Sequence, residues 1–239
     1  VRRLMPHILT SLVVGTVFVG ALAGCADSAP TTSTSGPTSN AATSDLEVSD
    51  ASTAALEGAV ERVLVALRDR DHATLAELVD PDEGVVFLPY SYSSYAPDVT
   101  AQIVDAHDRM SPEEVGRLGT SGTTRVWGTY EGRGDPIELT VDDYWVRFVW
   151  DRDYLDAPSV AVDHSRVPSA WAGIPDVFGP TARWVECAFP DGEDPDVGGL
   201  DWSALNLVFR ETVQIDPATG TVVGTTYGLI AVIHGEHEV

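Results

Sequence analysis

Apolar residues recur at three- and four-residue spacing from Leu56 through Val60, Val63 and Leu64 to Leu67, which predicts an amphipathic helix capped by Ser49 or Asp50. A polar break at Arg68–His72 separates it from a second short helix that carries Leu75, Leu78 and Val79 and is stopped by Asp80-Pro81. Val85–Leu88 reads as a short buried strand closed by Pro89, and residues 99–109 are weakly helical in pattern. Ser111-Pro112-Glu113-Glu114 is a strong helix start, with serine as cap, proline in the first turn and Glu114 placed to reach back; Gly119 ends that helix. Thr124–Tyr130 alternates like a strand and Glu131–Asp135 supplies a turn. Thr140 then caps a helix containing Val141, Tyr144, Trp145, Phe148 and Val149. Residues 156–180, rich in Pro and Gly, are expected to be mostly irregular, with one strand at Val160–Val162. The last third predicts three antiparallel strands near 181–189, 203–214 and 221–234, with Leu205, Leu207 and Phe209 facing inward.

Ahead of these elements lies a different pattern. Arg2 and Arg3 precede an apolar run from Ile8 to Ala23, in the order of a bacterial export signal. The run ends in Leu22-Ala23-Gly24-Cys25, which resembles the lipobox of bacterial lipoproteins. The resemblance implies removal of residues 1–24 and diacylglycerol modification of Cys25, which becomes the new N-terminus. Competing readings are a secretory signal cut elsewhere and an uncleaved membrane helix, but the apolar run falls short of the roughly 20 residues that a bilayer core requires. Residues 26–45 are almost wholly Ala, Ser, Thr, Gly and Pro, too polar and small to form a core, so 25–47 is expected to be a flexible tether spanning roughly 25 Å. The remainder, 48–239, is expected to be one α+β domain with a curved antiparallel sheet packed against N-terminal and central helices.

Charge then narrows the partners. The 239-residue chain carries a net charge of −23, and losing residues 1–24 would leave 12 arginines against 37 acidic residues, or −25. Such a surface repels nucleic acid and anionic headgroups, so function through a basic patch is not expected, and the membrane is expected to be reached through lipid on Cys25. With Cys25 acylated, Cys187 has no partner for an intrachain disulfide and reads as a buried structural thiol.

The order of two helices, a short strand, further helix and long meandering strands resembles the nuclear-transport-factor-like, cystatin-like α+β superfamily, in which a curved sheet wraps helices around a cone-shaped pocket. Arg147–Tyr154, Gly199-Leu200-Asp201-Trp202 and the terminal strand ending at His234 are also similar to uncharacterised bacterial lipoproteins. The superfamily resemblance implies a pocket between helix and sheet but no particular activity, since the superfamily holds isomerases, dehydratases, cyclases and binding domains.

Candidate chemistry is sparse. Asp151-Arg152-Asp153 and Asp69-Arg70-Asp71 contain the residue types used by epoxide hydrolases of that superfamily. Adjacent residues at a helix end point around the cylinder, however, so both read as solvated charges. On a continuing strand His234 and His237 face oppositely and cannot share a metal, and His234 with Glu236 gives too few ligands; the polar chain end is the expectation. Asp191, Glu193, Asp194 and Asp196 lack the spacing of a calcium loop, and no phosphate loop or Gly-x-Ser-x-Gly elbow is present. No metal, cofactor or catalytic residue is therefore assigned. Aromatic residues remain: Trp127, Tyr144, Trp145 and Phe148 are expected beside a ligand pocket, with Tyr90 and Tyr92 in a loop at its mouth. The functional expectation is a membrane-anchored, non-catalytic binding or accessory domain of the cell envelope, for a small apolar or sugar ligand. The alternatives are a pocket enzyme of isomerase, dehydratase or cyclase type and a protein-interaction module of an envelope complex.

Overall fold

The computed structural model describes residues 40–92, 95, 97–120, 122–167, 174–190, 195–198 and 200–236, with the side chains of 40–50, 97 and 195 excepted. The signal, Cys25 and most of the expected tether lie outside them. Contacts divide the chain after Ser44, and Asp45–Val239 forms one compact unit. The helix α1 runs from Asn40 to Asp69, so it opens inside the stretch expected to be a tether, and Ser49 and Asp50 lie within it rather than capping it. Ala41, Ala42, Leu46 and Glu47 are good helix formers, a local preference that outweighs the low-complexity look of the segment. No described helix is long and apolar enough to cross a membrane.

The predicted stripe Leu56, Val60, Val63, Leu64 and Leu67 is the buried face of α1. Arg70 closes the helix in the left-handed region at φ 54°, which lets the Asp71 N–H reach the Ala66 carbonyl at 2.9 Å and the Arg70 N–H reach that of Leu67 at 3.3 Å. Asp71 caps α2 (His72–Leu78), accepting the Thr74 N–H at 3.0 Å. Next come β1 (Val86–Leu88), α3 (Pro97–Ala106) and α4 (Pro112–Gly116), the last with the predicted capping box between Ser111 and Glu114. Then β2 (Arg125–Thr129) pairs antiparallel with β3 (Pro136–Leu139), a short strand that the pattern did not reveal, and α5 (Val141–Phe148) starts from the Thr140 cap. A 3-10 turn at Tyr154–Asp156 precedes the region expected to be mostly irregular, which holds the predicted strand as β4 (Ser159–Val162) and, beyond the expectation, a short helix, α6 (Ile174–Phe178). The three long strands follow as predicted: β5 (Ala182–Phe189), β6 (Ser203–Ile215) and β7 (Val222–Glu236).

The molecule is α+β, with a curved five-stranded sheet in the order β1-β7-β6-β5-β4 that does not close into a barrel. The sheet is mixed, which corrects the expectation of a wholly antiparallel one. β1 lies parallel to β7, with Val86 opposite Ala231 and Leu88 opposite Ile233, while the other pairings are antiparallel. The parallel edge is built where α2 hands the chain to the sheet: the Asp80 N–H donates to the Leu229 carbonyl at 3.0 Å. Gly228 permits this approach, since a Cβ there would meet Asp80 at 2.8 Å.

Leu205, Leu207 and Phe209 are wholly buried, on the face predicted for them. Their neighbours Ala204, Asn206 and Val208 on the opposite face are buried too, so the first half of β6 is covered on both sides. Phe209→Ala is expected to cost about 3–5 kcal/mol, measured by urea unfolding; a loss under about 1 kcal/mol would mean that the site relaxes around the missing ring. Beyond Arg210, the β6–β7 ribbon extends past β5 and β1 and leaves Val213, Ile215, Val222 and Val223 exposed.

Candidate functional site

The aromatic residues singled out in the sequence do come together, but as packing. Trp127 stacks on Tyr144 at 3.9 Å and 9°, Tyr144 and Tyr90 both contact Phe148, at 5.2 and 5.7 Å, and Tyr90 meets Tyr92 edge-on at 6.1 Å. Trp145 lies between Phe87 at 5.5 Å and His72 at 5.1 Å, and its indole N–H donates to the Leu67 carbonyl at 2.8 Å. All six are buried. Tyr90 and Tyr92 are therefore folded into the core rather than held over a mouth, and burial pushes the Tyr90 hydroxyl up to about 12.

Two open cavities lie to one side of this cluster, where α3, α4 and β2 meet. One, of about 700 Å³, is lined by polar residues that include Arg109, Glu114, Arg117 and Arg125. The other, of about 440 Å³, is lined mainly by Phe87, Ile103, Ala106, Met110 and Trp127, with His107. Asp108, Met110, Arg125 and Val126 border both, so the two adjoin in one cleft region. Of the six aromatic candidates, Trp127 alone borders either cavity.

Arg125 and Trp127 sit two residues apart on β2 and so project from the same side of the strand. The guanidinium carbon of Arg125 lies 4.7 Å from the Trp127 ring centre, and Trp127 is fixed in turn by its N–H to the Leu139 carbonyl at 3.1 Å and by its stack on Tyr144. Arg125 also donates to the Met110 sulfur at 3.7 Å and to Asp108 at 3.3 Å. The Asp108 side chain is 82% exposed, so this ion pair is weak and water-accessible. His107 donates from Nδ1 to the Ile103 carbonyl at 2.8 Å, because a carbonyl can only accept, which leaves Nε2 on the other side of the ring. Gly128, at φ 130° beside a bulge in β2, packs against that nitrogen, and a Cβ there would come within 2.5 Å of it. The cleft thus joins an apolar wall to a held cation.

A second constellation went unrecognised in the sequence. Asp151 accepts the Tyr154 hydroxyl at 2.6 Å on one oxygen and the Ser203 hydroxyl at 2.8 Å on the other, and Nε2 of His234 lies 3.4 Å from the first. His234, expected at a polar chain end, is wholly buried, and Asp151, expected to be solvated, retains 23% of its side-chain exposure. Burial alone would raise the Asp151 carboxyl, but the neighbouring His234 imidazole outweighs it, with help from the Tyr154 and Ser203 hydroxyls, and holds the group at about 2. Arg147 and Glu236 form a bidentate pair beside this network at 2.5 and 2.9 Å, and Arg152 donates to the Asp201 carbonyl at 3.0 Å. The network therefore ties Arg147–Tyr154 to residues 201–203 and to β7. The signal for it was a histidine two residues beyond Val232 on the apolar face of a strand, a polar residue in a register that demands a partner.

Asp151 rather than histidine stands at the centre of this group, and a carboxylate held near 2 is a poor base for Ser203, so no activated nucleophile results. Cys187 is likewise inert: burial, then the charge of Glu186, pushes its thiol up to about 12. Among the described residues no group of three His, Cys, Asp or Glu side chains is placed to hold a metal; Asp191, Glu193, Asp194 and His237 lie outside them. Compared with protein-family models, curated proteins and solved structures, the chain finds no match.

Proposed function

We infer that the chain is an exported lipoprotein of the cell envelope, held at the extracytoplasmic membrane face through lipid on Cys25, whose folded domain binds a small ligand in the cleft between α3, α4 and β2 without converting it. One observation carries the binding reading: in this cleft an apolar wall and a fixed guanidinium meet in open space. The anchoring half rests on the Leu22-Ala23-Gly24-Cys25 tetrapeptide and the apolar run before it.

Each half has its own test. Cys25→Ser is expected to move the protein from the membrane fraction to the soluble one; an unacylated wild type in the soluble fraction would contradict the anchor. For the cleft, Ala106 borders the apolar cavity and is exposed at the end of α3, so Ala106→Trp fills open space without entering the core. Native mass spectrometry of the wild type is expected to show a bound small molecule that the Ala106→Trp protein lacks; equal occupancy in both would place the ligand elsewhere.

A second reading, a protein-interaction module, is favoured by the projecting β6–β7 ribbon with exposed Val213, Ile215, Val222 and Val223. Such a ribbon offers backbone edges for strand addition.

A further inference from the structure

We propose that the cleft ligand is a small apolar monocarboxylate, with its carboxylate on Arg125 at the junction of the two cavities and its apolar body along Ile103, Met110 and Trp127. The proposal rests on the cleft being the ligand site. In a chain of net charge −23, three arginines, 109, 117 and 125, converge on the larger cavity. An anion reaching this domain thus finds its attraction concentrated there.

Of the three, Arg125 is the one that borders the apolar cavity as well. Its guanidinium is held in advance over the Trp127 ring, so little side-chain freedom is lost when an anion arrives. Its present carboxylate partner, Asp108, is 3.3 Å away and almost fully in water, a contact that an incoming carboxylate can replace with a two-pronged one. Arg117 is paired with Glu113 at 3.3 Å, and Arg109 lies over the Phe178 ring at 5.9 Å.

The same surroundings set the charge of the ligand. Asp108 and Glu114 border the larger cavity and repel a dianion more than a monoanion, which argues against a phosphate monoester. The apolar cavity, lined by Phe87, Ile103, Ala106, Met110, Val126 and Trp127, gives a hydrocarbon body a place that a bare anion would leave unused. Methionine adapts its shape to such a body at low cost.

The test is calorimetric titration of the full chain carrying Cys25→Ser, which removes the acylation site so that no attached lipid competes, with octanoate and with 1-octanol. Octanoate is expected to bind about tenfold more tightly than octanol, the range of one charge-assisted hydrogen-bonded contact. Arg125→Met is expected to abolish the preference and Asp108→Asn to enlarge it, whereas Arg62→Met, on the exposed side of α1, leaves it unchanged. Circular dichroism melting checks that the variants are folded, and the octanoate-to-octanol comparison in the parent chain needs no cleft variant. Equal affinities in the parent chain, no binding of octanoate, or a preference that survives Arg125→Met in a folded protein would each overturn the proposal. Equal affinities that Ala106→Trp abolishes would overturn it while leaving the cleft as a ligand site.

Discussion

Trp145→Ala is expected to cost about 3–5 kcal/mol of folding stability, enough to leave a large unfolded fraction in a domain of ordinary stability. The indole is 1% exposed and fills the space between α1, α2 and β1, in ring contact with Phe87 and His72. Truncation opens a cavity in this corner and removes the indole donor from the Leu67 carbonyl at the closing turn of α1. The two effects act together, because the carbonyl would face the new void. Chemical unfolding monitored by far-ultraviolet circular dichroism measures the loss. A variant that unfolds within about 1 kcal/mol of the wild type would show that α1 is held by its apolar stripe alone.

Asp151→Ala is expected to have an effect of similar size, again about 3–5 kcal/mol, because it takes the shared carboxylate from the Tyr154 and Ser203 hydroxyls, which keep only each other at 2.6 Å, and leaves the wholly buried His234 without its charged neighbour. Asp151→Asn keeps the volume and removes the charge, and its distinguishing result is in the pH dependence. The folded-state carboxyl is held at about 2, below its ordinary 3.8, so as pH falls the unfolded chain binds this proton before the folded one does. The stabilisation is complete above about pH 4 and is lost as pH falls through about 2; it amounts to about 2 kcal/mol. Unfolding free energies of the wild type are therefore expected to drop across that window, and those of Asp151→Asn to lack this component. An identical acid limb in both proteins would assign the loss to other carboxylates.

What could be read from the sequence divides along the range of the forces involved. The stripe of α1, the Ser111 capping box and the Thr140 cap depend on residues a few positions apart, and the structure has each of them; the alternation in β6 marked a strand but not that both its faces are covered. The parallel placement of β1 depends on a partner far along the chain, and three apolar residues carry no mark of direction. β3 escaped notice because it is four residues long and opens with proline, and α6 because it sits in a Pro- and Gly-rich stretch. The aromatic residues were legible as a cluster but not as core or cavity wall, since a tryptophan suits either. Arg125 was legible only as part of an alternating strand; its role in the cleft comes from α3 and α4 standing beside it, which no local pattern reports.

The place of β7 in the sheet governs the order in which the molecule can be made. This strand, between β1 and β6, is the last one among the described residues, and it brings Ala231 to Val86, 145 positions earlier. Contacts of such separation form late and slowly. While the chain emerges, β1 waits without a neighbour and β6 has β5 alone, so commitment to the folded state is deferred until the final strand arrives. A nascent chain stalled before Val222 holds both β1 and β6 as open edges, the state from which polypeptides aggregate or are taken up by chaperones.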